Sequence, residues 1–159
     1  MTDGADRVLA DAEARGIPIE IVERAPAASL EEAAAIQGIT PADIVKTLVV
    51  RRHDGDYLFA LVPGDRQISW PKLRAAVGVN RLRLPEAALA LEATGYERGT
   101  ITPFGSSTAW PVFADATIPG RRISMGAGAH GRSLWVDAGA LIRGFDARVS
   151  DITEPLPTA

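Results

Sequence analysis

The chain has 159 residues, of which 47% are hydrophobic and 23% charged, and its formal net charge is −3. No apolar run approaches the roughly 20 residues needed to cross a bilayer, and the acidic, helix-patterned first residues are not typical of a signal peptide. The lack of cysteine excludes disulfides and a cysteine nucleophile, and only two histidines, His53 and His130, disfavour a histidine-rich metal site. We therefore expect a single cytoplasmic domain over residues 1–159 with no metal, no other cofactor and no membrane partner.

Positive charge is concentrated in the middle of the sequence. Residues 44–133 hold 12 Lys and Arg against 7 Asp and Glu, a balance of +5, whereas the flanking segments hold 5 against 13, a balance of −8. Such a distribution predicts a face for an anionic ligand, but not a general nucleic-acid binder or a DNA-binding protein. An ordinary scatter of surface charge is the alternative.

Helix and strand signals alternate in the first third of the chain. An amphipathic pattern is followed by alternating apolar and polar residues, and the sequence "SLEE" is a capping box that starts a second helix. The predicted elements are a helix over 5–15, a strand over 17–23, a helix from Ser29 to near Gly38, and a turn over 40–43.

Strands dominate the remainder. The Asp-Gly pair in "HDGD" predicts a hairpin between two apolar strands, and a Gly/Pro/Thr-rich loop over 95–111 separates the two halves of the chain. The predicted strands are 46–52, 57–63, 80–84, 112–118, 121–128 and 133–136, and the predicted helices are 69–78, 85–94 and 137–145. The expected class is α+β, with a mixed, mostly antiparallel six- to seven-stranded sheet and surrounding helices.

Lys46 is the first candidate for chemistry. It lies in the apolar strand "IVKTLVV", and the chain has only two lysines against 15 arginines. From the pattern alone, a lysine that extends from the strand end into water is the favoured interpretation. The functional alternatives are an anchor for phosphate or carboxylate, a desolvated base, and an amine that forms a Schiff base.

Two glycine-rich segments are the next candidates. In "GYERGTITPFGS", Gly99 and Gly105 flank Pro103, and a loop of this kind exposes backbone N–H groups to a ligand, although an ordinary surface crossover is the alternative. In "MGAGAHG", the three glycines fit the spacing of a dinucleotide-binding turn, but no helix pattern follows, so that interpretation fails. A turn that lines a pocket and a plain hairpin turn both remain open.

Other polar residues offer weaker signals. His130 has no acid nearby in sequence to orient it, so a surface histidine is the simpler interpretation. Asp115 fits either a strand-end carboxylate near a pocket or a turn residue. The hydroxyls of "GSS" (105–107) have no evident base, and no serine lies in a nucleophile elbow.

Taken together, the segments "SLEEAAAIQGITPADIVKTLVV", "LVPGDRQISWPKLRAAVG", "TGYERGTITPFG" and "ISMGAGAHG" resemble the YbaK/ProX-type aminoacyl-tRNA deacylases. These are similar to the editing domain inserted in bacterial prolyl-tRNA synthetases, and the resemblance extends from about residue 17 to residue 152. It implies a trans-editing hydrolase that cleaves the ester between a wrongly attached amino acid and the 3′-terminal adenosine of tRNA.

The resemblance also implies the site. Lys46 and Gly99 fall on the functional lysine and on the backbone that contacts the ester carbonyl, and the terminal adenosine's own hydroxyl helps to activate water. The expected substrate-binding residues are Thr102, Pro103, Phe104, Gly105, Met125, Gly126, Gly128, Gly131 and Ser133. The implied partners are the 3′ end of aminoacyl-tRNA and, as a further candidate, prolyl-tRNA synthetase.

The sequence departs from the family pattern in ways that bear on the substrate. The early segment "EIVERAPAAS" has no histidine, Ser133 stands where some members have a carboxylate, and "AGAHGRSLWVDAG" does not match the motif of alanine-specific editors. A pocket wall with Phe104 and Met125 would favour a small side chain such as Cys, Ala or Ser. A non-catalytic binding module with the same fold and a hydrolase of another acyl ester are the alternatives.

Overall fold

The computed structural model describes residues 4–25, 27 and 29–157. The helices are α1 (Gly4–Arg15), α2 (Leu30–Gln37), α3 (Trp70–Val77), α4 (Ala87–Thr94) and α5 (Ala138–Phe145), with a short 3₁₀ turn at Pro41–Asp43. The strands are β1 (Ile19–Glu23), β2 (Val45–His53), β3 (Asp56–Pro63), β4 (Arg66–Ile68), β5 (Val112–Asp115), β6 (Arg122–Gly126), β7 (Arg132–Asp137), β8 (Arg148–Ser150) and β9 (Thr153–Pro155).

Two sheets meet at the start of β2. One has the order β1-β7-β6 and is antiparallel, and the other has the order β2-β3-β5-β8, in which β5 runs parallel to both neighbours. A single parallel bridge between Ile44 and Ser124 links them into a run of seven strands, and β4 pairs with β9 separately. The expected α+β class with a mixed sheet is confirmed.

The four-stranded sheet is covered on both faces. Along β3, Tyr57, Phe59 and Leu61 belong to one core cluster, which also contains helix α1 and the three-stranded sheet. The alternate residues Leu58, Ala60 and Val62 belong to a second cluster beside α3. Because successive strand residues point to opposite faces, an unbroken apolar run is what a strand buried on both sides requires.

Local signals position the segments that lead into β2 and β3. The Ser29 hydroxyl accepts a hydrogen bond from the Glu32 N–H at 3.0 Å, so the predicted cap is present, and Gly38 ends α2 in the left-handed conformation. Gly55 has a φ of +72° in the turn between β2 and β3, as the Asp-Gly signal predicted.

Some predicted boundaries were wrong. Residues 80–84 do not form a strand, because only Arg83 pairs, in an isolated bridge with Arg51. Strands β4, β8 and β9 were not predicted, since each has three residues and depends on a partner far away in sequence. The strand predicted over 112–118 ends at Asp115, whose carboxylate closes the following turn onto Thr117.

Candidate functional site

A cavity of about 490 Å³ opens beside β2. Residues from both faces of the strand line it, as do parts of α2, α4, β6 and the loop after α4. The strand is at the edge of its sheet, and the bridge between Ser124 of β6 and Ile44, the residue before β2, joins the two sheets. The cavity therefore lies at the open edge where the two sheets separate, and its size suits a small ligand.

Lys46 lies at this cavity and its charge is partly desolvated. Its Nζ donates a hydrogen bond to the carbonyl oxygen of Arg66 at 2.9 Å. Burial lowers the pKa of Lys46, and the nearby carboxylate of Asp65 opposes that shift in part. The other lysine, Lys72, instead forms an exposed ion pair with Asp151 at 3.0 Å. Lys46 is thus not a strand-end lysine that extends freely into water.

The charged residues that line the cavity are all positive. Lys46 shares the lining with Arg24 and Arg98, and no acidic side chain lies among the lining residues that the structure describes. The arginine guanidiniums stay charged at any ordinary pH. A cavity with this charge distribution attracts an anion, and no carboxylate or histidine in its described lining could act as a base.

Gly99 lines the same cavity in a tight turn. The backbone N–H and the hydroxyl of Thr100 both donate to the Glu97 carbonyl oxygen, at 3.0 and 2.7 Å. Gly99 has a φ of +91°, which L side chains rarely adopt, although a Cβ there would meet no atom within 4 Å. Its N–H has no hydrogen-bond partner among the described residues, so it is a candidate donor to a ligand.

Strands β6 and β7 form the opposite wall, through Met125, Gly126 and Ser133. Gly126 is required by packing: a Cβ there would lie 2.8 Å from the carbonyl oxygen of Ile101. The Gly128 N–H donates to the Thr100 carbonyl oxygen at 2.9 Å. The glycine-rich segment therefore holds the Gly99 turn against the sheet.

The structure does not bring all the predicted site residues together. Five of them line the cavity: Lys46, Gly99, Met125, Gly126 and Ser133. Six do not: Thr102, Pro103, Phe104, Gly105, Gly128 and Gly131.

Phe104 shows why the loop leaves the cavity. Its side chain is completely buried, and its ring packs edge-on against Phe145 with centroids 4.9 Å apart. Its carbonyl oxygen accepts a hydrogen bond from the Tyr96 hydroxyl at 2.6 Å, and the next N–H, of Gly105, donates to Asp11. These contacts place the second half of the loop in the protein core against α1, so Phe104 is not a wall of the cavity.

The weaker candidates lie elsewhere. His130 is exposed, with its Nε2 3.0 Å from a Glu97 carboxylate oxygen. Asp115 is buried away from the cavity; burial raises its pKa, but hydrogen bonds from Thr117, Ile152 and Thr153 outweigh that effect and lower it. Asp115 is therefore a turn residue that fixes β5 to the segment before β9.

Sequence reasoning missed several lining residues. The Thr47 hydroxyl is buried at the cavity without a hydrogen-bond partner in the described part of the chain. The Ser124 hydroxyl donates to the Gln37 side-chain oxygen at 2.8 Å, which joins α2 to β6 beside the cavity. Thr47 adjoins Lys46 in the sequence and could have been found there, whereas Arg24, Arg98 and Gln37 come together only through the fold.

The fold and this site define a class of protein. The family model described as "Aminoacyl-tRNA editing domain" matches residues 24–143, a span that contains all the cavity-lining residues. The chain therefore belongs to the aminoacyl-tRNA editing domain family, as the sequence resemblance predicted.

Individual relatives agree with this assignment. The proline–tRNA ligase of Heliobacterium modesticaldum is 32% identical over 146 residues, which is 89% of this chain and 25% of the ligase. The proline–tRNA ligase of Kosmotoga olearia is 30% identical over 149 residues, 87% of this chain and again 25% of the ligase. The chain thus spans about a quarter of these curated relatives.

A solved structure is similar over nearly its whole length. The crystal structure of a candidate trans-editing enzyme for prolyl-tRNA synthetase superposes with a TM-score of 0.86 at 27% identity, covering 97% of this chain and 99% of that one.

Among the described residues, no helix is both long and apolar enough to cross a membrane, and no group of three or more His, Asp or Glu has the arrangement of a metal site.

Proposed function

We propose that this protein is a deacylase that hydrolyses the 3′-ester of a mischarged aminoacyl-tRNA in the cytoplasm, with residues 1–159 acting as one unit. The observation that carries the proposal is the cavity itself: within an editing-domain family member, a half-buried lysine and two arginines line one cavity with no acidic residue in the described lining. Such a site attracts an anionic nucleotide end, and its described lining contains no carboxylate or histidine to act as a base.

Lys46 acts as a positioning charge in this proposal. Its ammonium group is held by the Arg66 carbonyl, which leaves two of its three N–H donors for a ligand. Arg24 and Arg98 add positive charge at the same cavity, where they attract the phosphate of the terminal nucleotide. Fixing the nucleotide places the ester in one orientation, and orientation alone supplies a large part of a hydrolytic rate enhancement.

Gly99 supplies a hydrogen-bond donor that stabilises the oxyanion. Its unpaired N–H donates to the ester carbonyl oxygen as negative charge develops there, and the turn formed with Glu97 and Thr100 holds that N–H in place before the reaction. The neighbouring ribose hydroxyl of the substrate orients the attacking water. Water adds to the carbonyl carbon, the bond to the ribose oxygen breaks, and that oxygen takes a proton, so the products are a free amino acid and uncharged tRNA.

The substrate side chain is small in this proposal. Met125, Ile101 and Ala90 line the cavity, and the adenosine end must share the space of about 490 Å³ with the amino acid. We propose a Cys- or Ala-tRNA(Pro)-like substrate and prolyl-tRNA synthetase as a partner. The relatives named proline–tRNA ligase and the neighbour named for trans-editing support tRNA(Pro) and prolyl-tRNA synthetase, and the small cavity supports a small amino acid.

A panel of mischarged tRNAs tests the function. The purified protein is assayed with cysteine, alanine and serine esterified to tRNA(Pro) and to their own tRNAs, beside Lys46→Ala and the matched control Lys72→Ala. We expect hydrolysis of at least one mischarged tRNA(Pro), its loss in Lys46→Ala, and its retention in Lys72→Ala. If no mischarged tRNA is hydrolysed, the alternative of a non-catalytic binding module is favoured. If Lys46→Ala hydrolyses the substrate as fast as wild type, the proposed role of Lys46 is contradicted.

A further inference from the structure

A second concave surface lies at the far end of β2. This surface, the arginine cleft, has a volume of about 670 Å³ and is lined by five arginines, Arg51, Arg52, Arg74, Arg81 and Arg83. Asp54 is the one acidic residue among its described lining residues. The whole chain carries a net charge of −3, so this local excess of positive charge is not a consequence of composition.

The internal ion pairs do not neutralise the cleft. Arg51 pairs with Asp54, and Arg52 lies 3.6 Å from the Asp56 carboxylate, which His53 also contacts. The Nε of Arg51 is nevertheless buried with no hydrogen-bond partner in the described part of the chain, and the Nε of Arg52 has only the Asp56 carboxylate, at 3.6 Å.

The other three arginines are less constrained. The side chains of Arg74, Arg81 and Arg83 form no ion pair or hydrogen bond with any described residue. Guanidinium groups are suited to phosphate because they offer several donors in a planar fork. The cleft therefore presents several unsatisfied phosphate-binding donors on one surface.

The cleft and the cavity are neighbours along β2. The backbones of Arg51 and Arg83 exchange two hydrogen bonds, of 2.8 and 3.2 Å, which fix the segment after Asn80 against β2. The next residues along that segment, Leu84 and Pro85, already line the cavity. Lys46 and Arg52 are six residues apart on one face of the strand, about 20 Å at the usual rise per residue. A polyanion whose end occupies the cavity can therefore extend along β2 into the cleft.

We infer that the arginine cleft binds the phosphate backbone of the tRNA strand that precedes the terminal adenosine. This inference rests on the proposed function and adds to it a second contact surface, which acts on affinity and not on the ester. Contacts to phosphates position a nucleic acid without reading its sequence, and each one releases counterions, so its signature is the salt dependence of binding.

The test compares two matched double variants. Arg81→Gln/Arg83→Gln removes two exposed charges from the cleft, and Arg122→Gln/Arg148→Gln removes two exposed charges from β6 and β8, outside both the cavity and the cleft. Binding of uncharged tRNA is measured by fluorescence anisotropy at several salt concentrations. We expect weaker binding by the cleft variant alone, with a slope of log K against log salt that is shallower by about 1.4, or about 0.7 for each single-strand phosphate contact.

A minimal substrate separates this inference from the proposed function. The 3′-aminoacyl ester of adenosine 5′-monophosphate occupies the cavity but has no preceding phosphates, so both double variants should hydrolyse it at the wild-type rate. The cleft inference would be overturned if both double variants bound tRNA as tightly as wild type. It would also be overturned if both lost the same amount of tRNA affinity with the same salt slope. Failure of every form to hydrolyse both the minimal ester and the mischarged tRNAs would overturn the proposed function and leave the binding result standing.

Discussion

The two ends of β2 differ in how they present positive charge. The first half contributes Lys46 to a cavity with largely apolar walls, where burial lowers the lysine pKa. The second half contributes Arg51 and Arg52 to an open cleft that three more arginines complete. One strand thus carries a single compact charge at one end and a group of planar charges at the other.

The difference separates two tasks. An ammonium group is a point charge with rotatable donors, and it responds to burial, whereas a guanidinium keeps its charge and binds phosphate in a fixed geometry. A site that orients one ester benefits from the first, and a surface that holds a phosphate backbone benefits from the second. Under the proposed function, this division explains a lysine at position 46 in a chain with 15 arginines.

Removal of Lys46 should have the largest effect. Lys46→Met keeps the length of the side chain and removes its charge, so we expect deacylation to fall about 10²- to 10³-fold, as when a single electrostatic contact to a transition state is lost. Thermal unfolding should occur at the wild-type temperature or above it, because a partly desolvated charge has been removed. A fall in both activity and melting temperature would assign Lys46 a structural role.

An exchange of charge types should distinguish the two regions. In the cavity, Lys46→Arg puts a larger planar group beside the Arg66 carbonyl and displaces the substrate, with an expected loss of about 10²-fold in kcat/KM. In the cleft, Arg81→Lys/Arg83→Lys keeps both charges and should leave the salt slope unchanged. Similar tolerance of exchange in both regions would contradict the division of tasks.

Gly99 offers a test of the cavity turn with a matched control. Gly99→Ala and Gly120→Ala each place a side chain at a positive φ, of +91° and +85°, in open space, so each should cost about 1–2 kcal/mol of unfolding free energy. Only Gly99→Ala distorts a backbone that lines the cavity, so it alone should lower kcat at a substrate concentration that saturates the enzyme. Equal kcat values in the two variants would remove Gly99 from the proposed mechanism.

The smallest expected effect is in the pH dependence of stability. Because the folded state lowers the pKa of Lys46, the unfolded chain binds this proton more tightly, and the contribution of Lys46 to unfolding free energy rises with pH. The rise occurs between the folded pKa and the ordinary lysine value near 10.4. Urea titrations at pH 7 and pH 10.5 should therefore show that the unfolding free energy of Lys46→Met exceeds that of wild type by less at the higher pH. A difference that stays constant with pH would mean that burial does not change the pKa of Lys46.

Sequence patterns predicted the parts of the molecule that depend on local chemistry. Short-range rules predicted the capping box at Ser29, the hairpin at Gly55 and the strand β3, which is apolar on both faces. The family resemblance predicted the class of protein. Lys46 and Gly99 reach one cavity although 53 positions separate them. Periodicity alone could not have shown this, because the loop that carries Gly99 is positioned by the packing of Gly126 against Ile101.

Residues whose placement depends on tertiary contacts were predicted poorly. Phe104 follows Gly99 by only five positions but is directed into the core by its packing on Phe145 and by the Tyr96 hydrogen bond. The basic middle segment indicated an anionic ligand, but the arginine cleft forms only when the Arg51–Arg83 bridge brings two segments together. A sequence shows that such charges exist and does not show which of them meet.

The most direct test of the central claim is the hydrolysis rate of the 3′-aminoacyl ester of adenosine 5′-monophosphate, measured for wild type, Lys46→Ala and Arg81→Gln/Arg83→Gln. If the cavity alone carries the chemistry, wild type and the cleft variant hydrolyse the ester at the same rate, and Lys46→Ala hydrolyses it about 10²- to 10³-fold more slowly. Equal hydrolysis by wild type and Lys46→Ala, or loss of hydrolysis in the cleft variant, would contradict the account.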